Sequence, residues 1–204
     1  MKASEKRLLI ATGNEGKLVE LREMFNGFSL NFASLRDFSD APEVVESGTT
    51  FEENARIKAI RYASYTSMTA VADDSGLEIY ALGGRPSVLS ARYGGAETSF
   101  QAKMELLLNE LARTEDRERR ARFVCSIAVS DPYGKVVCEA RGVCDGVIAA
   151  EPRGSGGFGY DPIFIPEGYE STFAELHASI KRQISHRSRA FRLIIPFLQD
   201  FIAN

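Results

Sequence analysis

The sequence predicts a mixed α/β fold, a central sheet with flanking helices, in a single domain over residues 1–204, and three observations carry the prediction. Helix-like and strand-like apolar spacings alternate along most of the chain, the pattern of strands covered by helices. Near the amino terminus the apolar run Leu8-Leu9-Ile10-Ala11 breaks at a polar turn and passes straight into the helical spacing Leu18, Leu21, Phe25. Further on, two runs with period-two alternation flank Asp131-Pro132-Tyr133-Gly134, a hairpin that makes the sheet mixed.

The first unit is a buried strand, a tight turn and a helix start. Its turn, Thr12-Gly13-Asn14-Glu15-Gly16-Lys17, leaves the first N–H groups of the helix pointing outward with the positive end of the helix dipole behind them, a place where an anion binds. Thr12 and Asn14 add side-chain donors and Lys17 adds a full charge. An ordinary connection capped by Thr or Asn accounts for the same residues. Leu30 to Leu35 alternates and reads as a strand. Gly48-Thr49-Thr50 leads into a helix whose apolar stripe is Phe51, Ala55, Ala59, Tyr62 and Ala63, with Asn54 and Lys58 together along one edge. Ala70-Val71-Ala72 is a short buried strand expected to end at Asp73-Asp74-Ser75-Gly76, after which Leu77, Ile79 and Ala81 resume period two. A helix with Phe100, Met104, Leu107, Leu108 and Leu111 on one face follows, and the mixed charges from Arg113 to Arg122 read as a solvated loop. Phe123 to Val129 and Val136 to Ala140 are the hairpin arms. Residues 154–159 are a glycine-rich loop. Ser185 caps a last helix with Ala190, Ile194, Phe197, Leu198 and Phe201 on its face, which Pro196 should kink or divide.

Composition narrows the function. With 44% hydrophobic residues the chain can bury a full core. A net charge of -3 gives no general attraction to a polyanion, so sequence-independent nucleic-acid binding is disfavoured and any phosphate is held locally. No apolar run is long enough to cross a membrane, and the one after Lys6-Arg7 is too short for a signal peptide. Cys125, Cys138 and Cys144 are odd in number and lack C-x-x-C spacing, which fits reduced thiols and a cytoplasmic location.

Three constellations carry chemistry. Asp73 and Asp74 at a strand end, near an anion-binding turn, suit Mg²⁺ held against a phosphate, because that cation prefers oxygen ligands; one carboxylate also suits a role on water. An Asp-Ser-Gly turn with the aspartates capping N–H groups is the other reading. Glu43 and Glu46 either complete the metal shell or are merely exposed. The second constellation, Gly154-Ser155-Gly156-Gly157-Phe158-Gly159-Tyr160-Asp161-Pro162, formally contains G-x-G-x-x-G. The dinucleotide reading fails because an extended segment, Pro162-Ile163-Phe164-Ile165-Pro166, follows where a helix should open; nor is there a Walker A loop. A flexible loop presenting Phe158, Tyr160 and Asp161 suits a planar ligand, and a plain loop with two core aromatics accounts for it as well. The third is Lys181 with Ser185-His186-Arg187, several donors in a small space, or an N-cap followed by basic surface residues.

Taken together, Ala11-Thr12-Gly13-Asn14 with Lys17, Gly48 to Lys58, Ala72 to Leu77, Ser90-Ala91-Arg92-Tyr93, Gly156 to Phe164 and Ile184 to Arg187 resemble the Ham1-like inosine/xanthosine triphosphate pyrophosphatases, in order from about Leu8 to Phe201. The resemblance implies two lobes around a long central cleft, a homodimer, Mg²⁺ dependence, and hydrolysis of non-canonical purine triphosphates (ITP, dITP, XTP) to monophosphate and pyrophosphate. By position it implies that Thr12, Gly13, Asn14, Glu15, Gly16 and Lys17 bind the triphosphate with Lys58. Asp74 becomes general base and metal ligand, with Glu46 and Asp73 as the other acidic ligands, and Ser75 a substrate contact. Phe158, Gly159, Tyr160, Asp161, Lys181, His186 and Arg187 enclose the base. Ile180 stands where the family commonly has glutamate, which leaves Lys181 without an expected carboxylate neighbour; Ser87 and Ser188 replace glycines. Hydrogen-bond polarity then explains base choice: a 6-oxo acceptor satisfies His186 or Arg187, whereas a 6-amino group sets donor against donor. A related phosphatase that releases orthophosphate is the competing enzyme class. An RNA-binding or nucleotide-sensing module is disfavoured by the acidic charge and the lack of interleaved basic and aromatic residues.

Overall fold

The computed structural model describes residues 7–203; Lys6, half of the basic pair read ahead of the first strand, lies outside them. Among the described residues the strands are β1 (Arg7–Ile10), β2 (Asn31–Ser34), β3 (Thr69–Ile79), β4 (Arg120–Ser130), β5 (Val136–Ile148) and β6 (Phe164–Pro166). The helices are α1 (Glu15–Phe25), α2 (Phe51–Thr66), α3 (Phe100–Ala112), α4 (Ala178–Ile184) and α5 (His186–Ala203). One sheet runs in the order β2-β1-β3-β4-β5-β6. β1 is parallel to both β2 and β3, and β5 is antiparallel to β6, so the sheet is mixed as expected. β4 and β5 are neighbours joined by a turn in which the Gly134 N–H donates to the Asp131 carbonyl at 3.1 Å. A connection that short can only reverse the chain.

The chain divides into two compact units, residues 7–74, 125–141 and 188–203, and residues 75–124 and 142–187. In the first, strand alternation sorts the core. Leu8, Ile10, Val71, Cys125, Ile127 and Val129 face α1 and α5, meeting Leu18, Leu21, Phe25, Ala190, Phe191 and Ile194. Leu9, Ala11, Ala70, Ala72 and Ala128 face the other way, onto Ala55, Ala59 and Ala63 of α2. Small side chains on both sides let that helix approach closely. Phe25 meets Phe191 edge-on at 4.8 Å, tying α1 to α5. Of the two outcomes expected at Pro196, a kink or a division, division does not occur: the last helix continues as one element to Ala203. Pro196 is exposed, and buried Ile194 and Leu198 anchor the helix on either side of it.

The second unit packs Leu77, Ile79, Met104, Leu107, Leu111, Phe123, Phe164 and Phe173 together, with Phe123 and Phe164 rings 4.6 Å apart. Two sequence expectations are corrected here. β3 does not stop at Asp73-Asp74-Ser75-Gly76 but runs through it to Ile79, because the polar residues find partners on each face and the backbone need not turn. Gly76 permits a close approach: a Cβ there would lie 2.3 Å from Ser90 Oγ and 2.6 Å from the Ser87 carbonyl oxygen. The segment from Arg113 is not loop throughout, since β4 begins at Arg120. The Arg119 guanidinium donates to the carbonyls of Ile148 and Ala149, each at 2.8 Å, closing the end of β5.

Candidate functional site

In the first unit the amino-terminal turn is capped and cationic at once. Asn14 is the N-cap of α1, its Oδ1 accepting the Lys17 N–H at 3.0 Å, while Thr12 Oγ1 accepts the Asn14 N–H at 3.2 Å. Both side chains therefore act as acceptors here. Gly13 is exposed and a Cβ added to it would meet nothing within 4 Å, so a ligand can approach the backbone there. Glu15 is exposed and pairs with Arg36.

Because β3 passes through the acidic pair, Asp73 and Asp74 point to opposite faces of the sheet and do not form the dyad the sequence suggested. Asp73 faces α1, where Lys17 Nζ stands 3.2 Å from its Oδ2, and Cys125 Sγ is 3.8 Å from the same oxygen. Asp74 faces α2. Lys58 Nζ donates to Asp74 Oδ1 at 3.2 Å and to Glu46 Oε1 at 2.6 Å, so one ammonium bridges two carboxylates far apart in sequence. Glu43, the other acidic candidate, is exposed.

Asn54, noted in the sequence only for sharing an edge with Lys58, completes this cluster. Its side chain is fully buried, donates from Nδ2 to Asp74 Oδ2 at 3.1 Å and accepts the Gly48 N–H at 2.8 Å. α2 delivers both residues because its start is fixed by a capping box between Thr50 and Glu53. Burial pushes the Asp74 carboxyl above the usual carboxylate range, with Lys58 and Lys17 pulling against it. Burial alone would lower Lys58, but Asp74, Asp73 and Glu46 outweigh it and hold the ammonium charged.

Hard oxygen donors are what Mg²⁺ requires, and Glu46 and Asp74 already share a cation, the Lys58 ammonium. Among the described residues no group of three or more His, Cys, Asp or Glu side chains is placed to hold a metal by itself. That agrees with the habit of Mg²⁺ to bind through one or two carboxylates plus phosphate oxygens, so the donor set fits.

In the second unit one ring lies close to two cations. The ammonium of Lys181 lies 4.8 Å from the Phe158 centroid and the Arg187 guanidinium 5.7 Å from it. Lys181 does have a carboxylate neighbour despite Ile180: it pairs with buried Asp161, which also accepts the Phe158 N–H at 2.8 Å. A Cβ on Gly157, at φ +70°, would sit 2.0 Å from that carboxylate oxygen, so this loop closes on Asp161 only with glycine there. Asp161 thus organises the loop. Arg187 is almost wholly buried and donates to Ser75 Oγ at 2.8 Å. His186 stacks on Phe123 at 4.7 Å with the rings 13° apart. Tyr160 belongs to the core: it is 2% exposed, its hydroxyl donates to the Ser90 carbonyl at 2.9 Å, and burial pushes the phenol up. A cavity of about 720 Å³ in this unit, lined in part by Tyr80, Arg120, Asp145 and Tyr169, contains none of these residues.

Lysine–carboxylate pairs on the two faces of one strand, carried by a mixed sheet with flanking helices, define the broad class: an α/β protein with a charged cluster suited to anions. Residues 8–197 match the Ham1 family model, and the chain belongs to that family. A dITP/XTP pyrophosphatase of Oceanobacillus iheyensis is 46% identical over 91% of this chain and 94% of its own length. One of Mycobacterium bovis is 47% identical over 95% and 96%. Among solved structures, a HAM1 protein from Coxiella burnetii superposes with a TM-score of 0.87 at 38% identity, covering 96% of this chain and 99% of its own.

Proposed function

We propose that this protein hydrolyses non-canonical purine nucleoside triphosphates, ITP, dITP and XTP, to the monophosphate and pyrophosphate, with Mg²⁺ as cofactor. The observation that carries this reading is the buried Asp74, raised in basicity by burial and addressed by Lys58 and Asn54. The names of the relatives support the substrate class. The phosphates fall to the first unit: in the turn from Thr12 to Gly16, shaped by the Thr12 and Asn14 side chains, the N–H groups of Gly13, Glu15 and Gly16 face an anion, and Lys17 and Lys58 neutralise oxygens. Glu46 and Asp74 would hold Mg²⁺, which would offset charge on the triphosphate and on the departing pyrophosphate. Asp74 accepts the proton of a water whose oxygen bonds to the α-phosphorus as the bond to the bridging oxygen breaks; that oxygen leaves with the pyrophosphate.

The base falls to the second unit. The Phe158 ring offers a stacking face, Gly159 leaves room beside it, and Ser75, Lys181, His186 and Arg187 supply polarity. Asp161 acts by holding Lys181 and the loop, and Tyr160 by supporting the loop from the core. A 6-oxo acceptor satisfies such donors, whereas the 6-amino group of adenine leaves buried donors unpaired. The chain acts as a single catalytic domain, in a homodimer in the cytoplasm; three cysteines with no disulfide among the described residues fit a reducing compartment.

Pyrophosphate release measured with Mg²⁺ across ITP, dITP, XTP, ATP and GTP tests the reading. The first three should be hydrolysed far faster than the last two. Equal rates on all five overturn the specificity, and orthophosphate as the product overturns the reaction.

A further inference from the structure

We propose that Asp73 is a positioning residue: a buried counter-charge that holds the Lys17 ammonium where phosphate meets it, with no part in binding metal. The proposal rests on the reading that Lys17 binds phosphate. Its geometry is independent of that reading. The Asp73 side chain is fully buried, Lys17 is 13% exposed, and their charged atoms stand 3.2 Å apart. A carboxylate taken wholly out of water is strongly stabilised by a cation at this distance, so the pair holds both groups in place. On β3 Asp73 lies in the face shared with α1, where Cys125 Sγ adds a second contact to the same oxygen, while Asp74 takes the contacts to Lys58 and Asn54; Asp73 reaches Lys58 only through its charge.

Lys17 is thereby fixed at both ends. Its backbone N–H is taken by the Asn14 cap and its Nζ by Asp73. A lysine on a flexible four-carbon stem ordinarily loses rotamer freedom when it grips a ligand; one already held loses less, so affinity for phosphate rises without a new contact. An ammonium has three donors and the carboxylate occupies one direction, which leaves the group able to serve a phosphate oxygen as well. The two adjacent aspartates then have separate duties, set by the face each occupies.

A cycle of Asp73→Asn, Lys17→Ala and the double variant tests this, each variant measured for folding by circular dichroism, for KM and kcat, and for binding of inorganic pyrophosphate by calorimetry without divalent cation. Asp73→Asn should raise KM for the triphosphate by about tenfold or more while kcat changes less than about threefold, and should weaken pyrophosphate binding similarly. The Mg²⁺ concentration for half-maximal rate should stay put, whereas Glu46→Gln should move it. Lys17→Ala should lower thermal stability by removing the cation beside a buried carboxylate, and adding Asp73→Asn should restore part of that loss, which keeps the test informative even where Asp73→Asn alone folds poorly. Additive stability and KM effects, or a shift in Mg²⁺ requirement as large as that of Glu46→Gln, overturn the proposal. A protein that hydrolyses no triphosphate but still shows the coupled stability and pyrophosphate effects overturns only the catalytic reading.

Discussion

Replacing Asn54 with alanine removes the one neutral side chain in the charged cluster, and its cost can be worked out from two hydrogen bonds. The amide donates to the Asp74 carboxylate at 3.1 Å and accepts the Gly48 N–H at 2.8 Å, in a fully buried position. A hydrogen bond to a charged group contributes about 1.5–3 kcal/mol, and a buried N–H left without a partner costs about 1–3 kcal/mol. The two together amount to about 2.5–6 kcal/mol. In a chain of this size each kcal/mol corresponds to a change in Tm of roughly 2–4 °C, so a fall of at least about 5 °C is expected. The protein has no tryptophan, so urea unfolding is best followed by far-ultraviolet circular dichroism. Asn54→Asp keeps the acceptor for Gly48 but sets a carboxylate against Asp74, and should destabilise at least as much. A loss under about 1 kcal/mol for Asn54→Ala would refute the argument that this amide organises Asp74.

Asp74→Asn should abolish turnover, by about 10²-fold or more, while ITP still binds in calorimetry; near-normal kcat would assign proton transfer to another group. The capping box of α2 carries a pH signature, since Glu53 accepts the Thr49 N–H at 2.6 Å, with its hydroxyl and the Thr50 N–H adding to it, and these hold the carboxyl below the ordinary glutamate range. A group lowered on folding stabilises fully above its unfolded pKa and loses that contribution as pH falls through the folded one. The Tm difference between the natural protein and Glu53→Gln should therefore be open at pH 7 and close on acidification toward pH 3; a gap that widens in acid would contradict the sign.

Legibility in the sequence followed the range of the interactions. The stripe Phe51, Ala55, Ala59, Tyr62, Ala63 and the strand–turn–helix from Leu8 to Phe25 were readable because three- and four-residue spacings and a polar turn encode them locally. The same reading ended β3 too early, because Asp73-Asp74-Ser75-Gly76 has the composition of a turn. Buried aspartates continue a strand only if cations wait on both faces, and those cations come from helices 56 and 16 positions away, Lys17 to Asp73 and Lys58 to Asp74. Arg119 misleads in the same way, its charge suggesting solvent when its guanidinium takes the carbonyls of Ile148, the last residue of β5, and of Ala149 just beyond it.

Local chemistry in the chain thus specified which segments become helices and strands, that the sheet is mixed, and which residue types are candidates for the proposed phosphate and base contacts. Folding in three dimensions decided the assignments among them: Asp73 to Lys17 and Asp74 to Lys58 and Asn54, Asp161 to Lys181 in place of the glutamate absent at Ile180, Tyr160 to the core. The physical reason is that a charge or amide out of water must be met by a complementary group, and which group meets it depends on the face of the sheet it occupies, a property no stretch of sequence holds on its own.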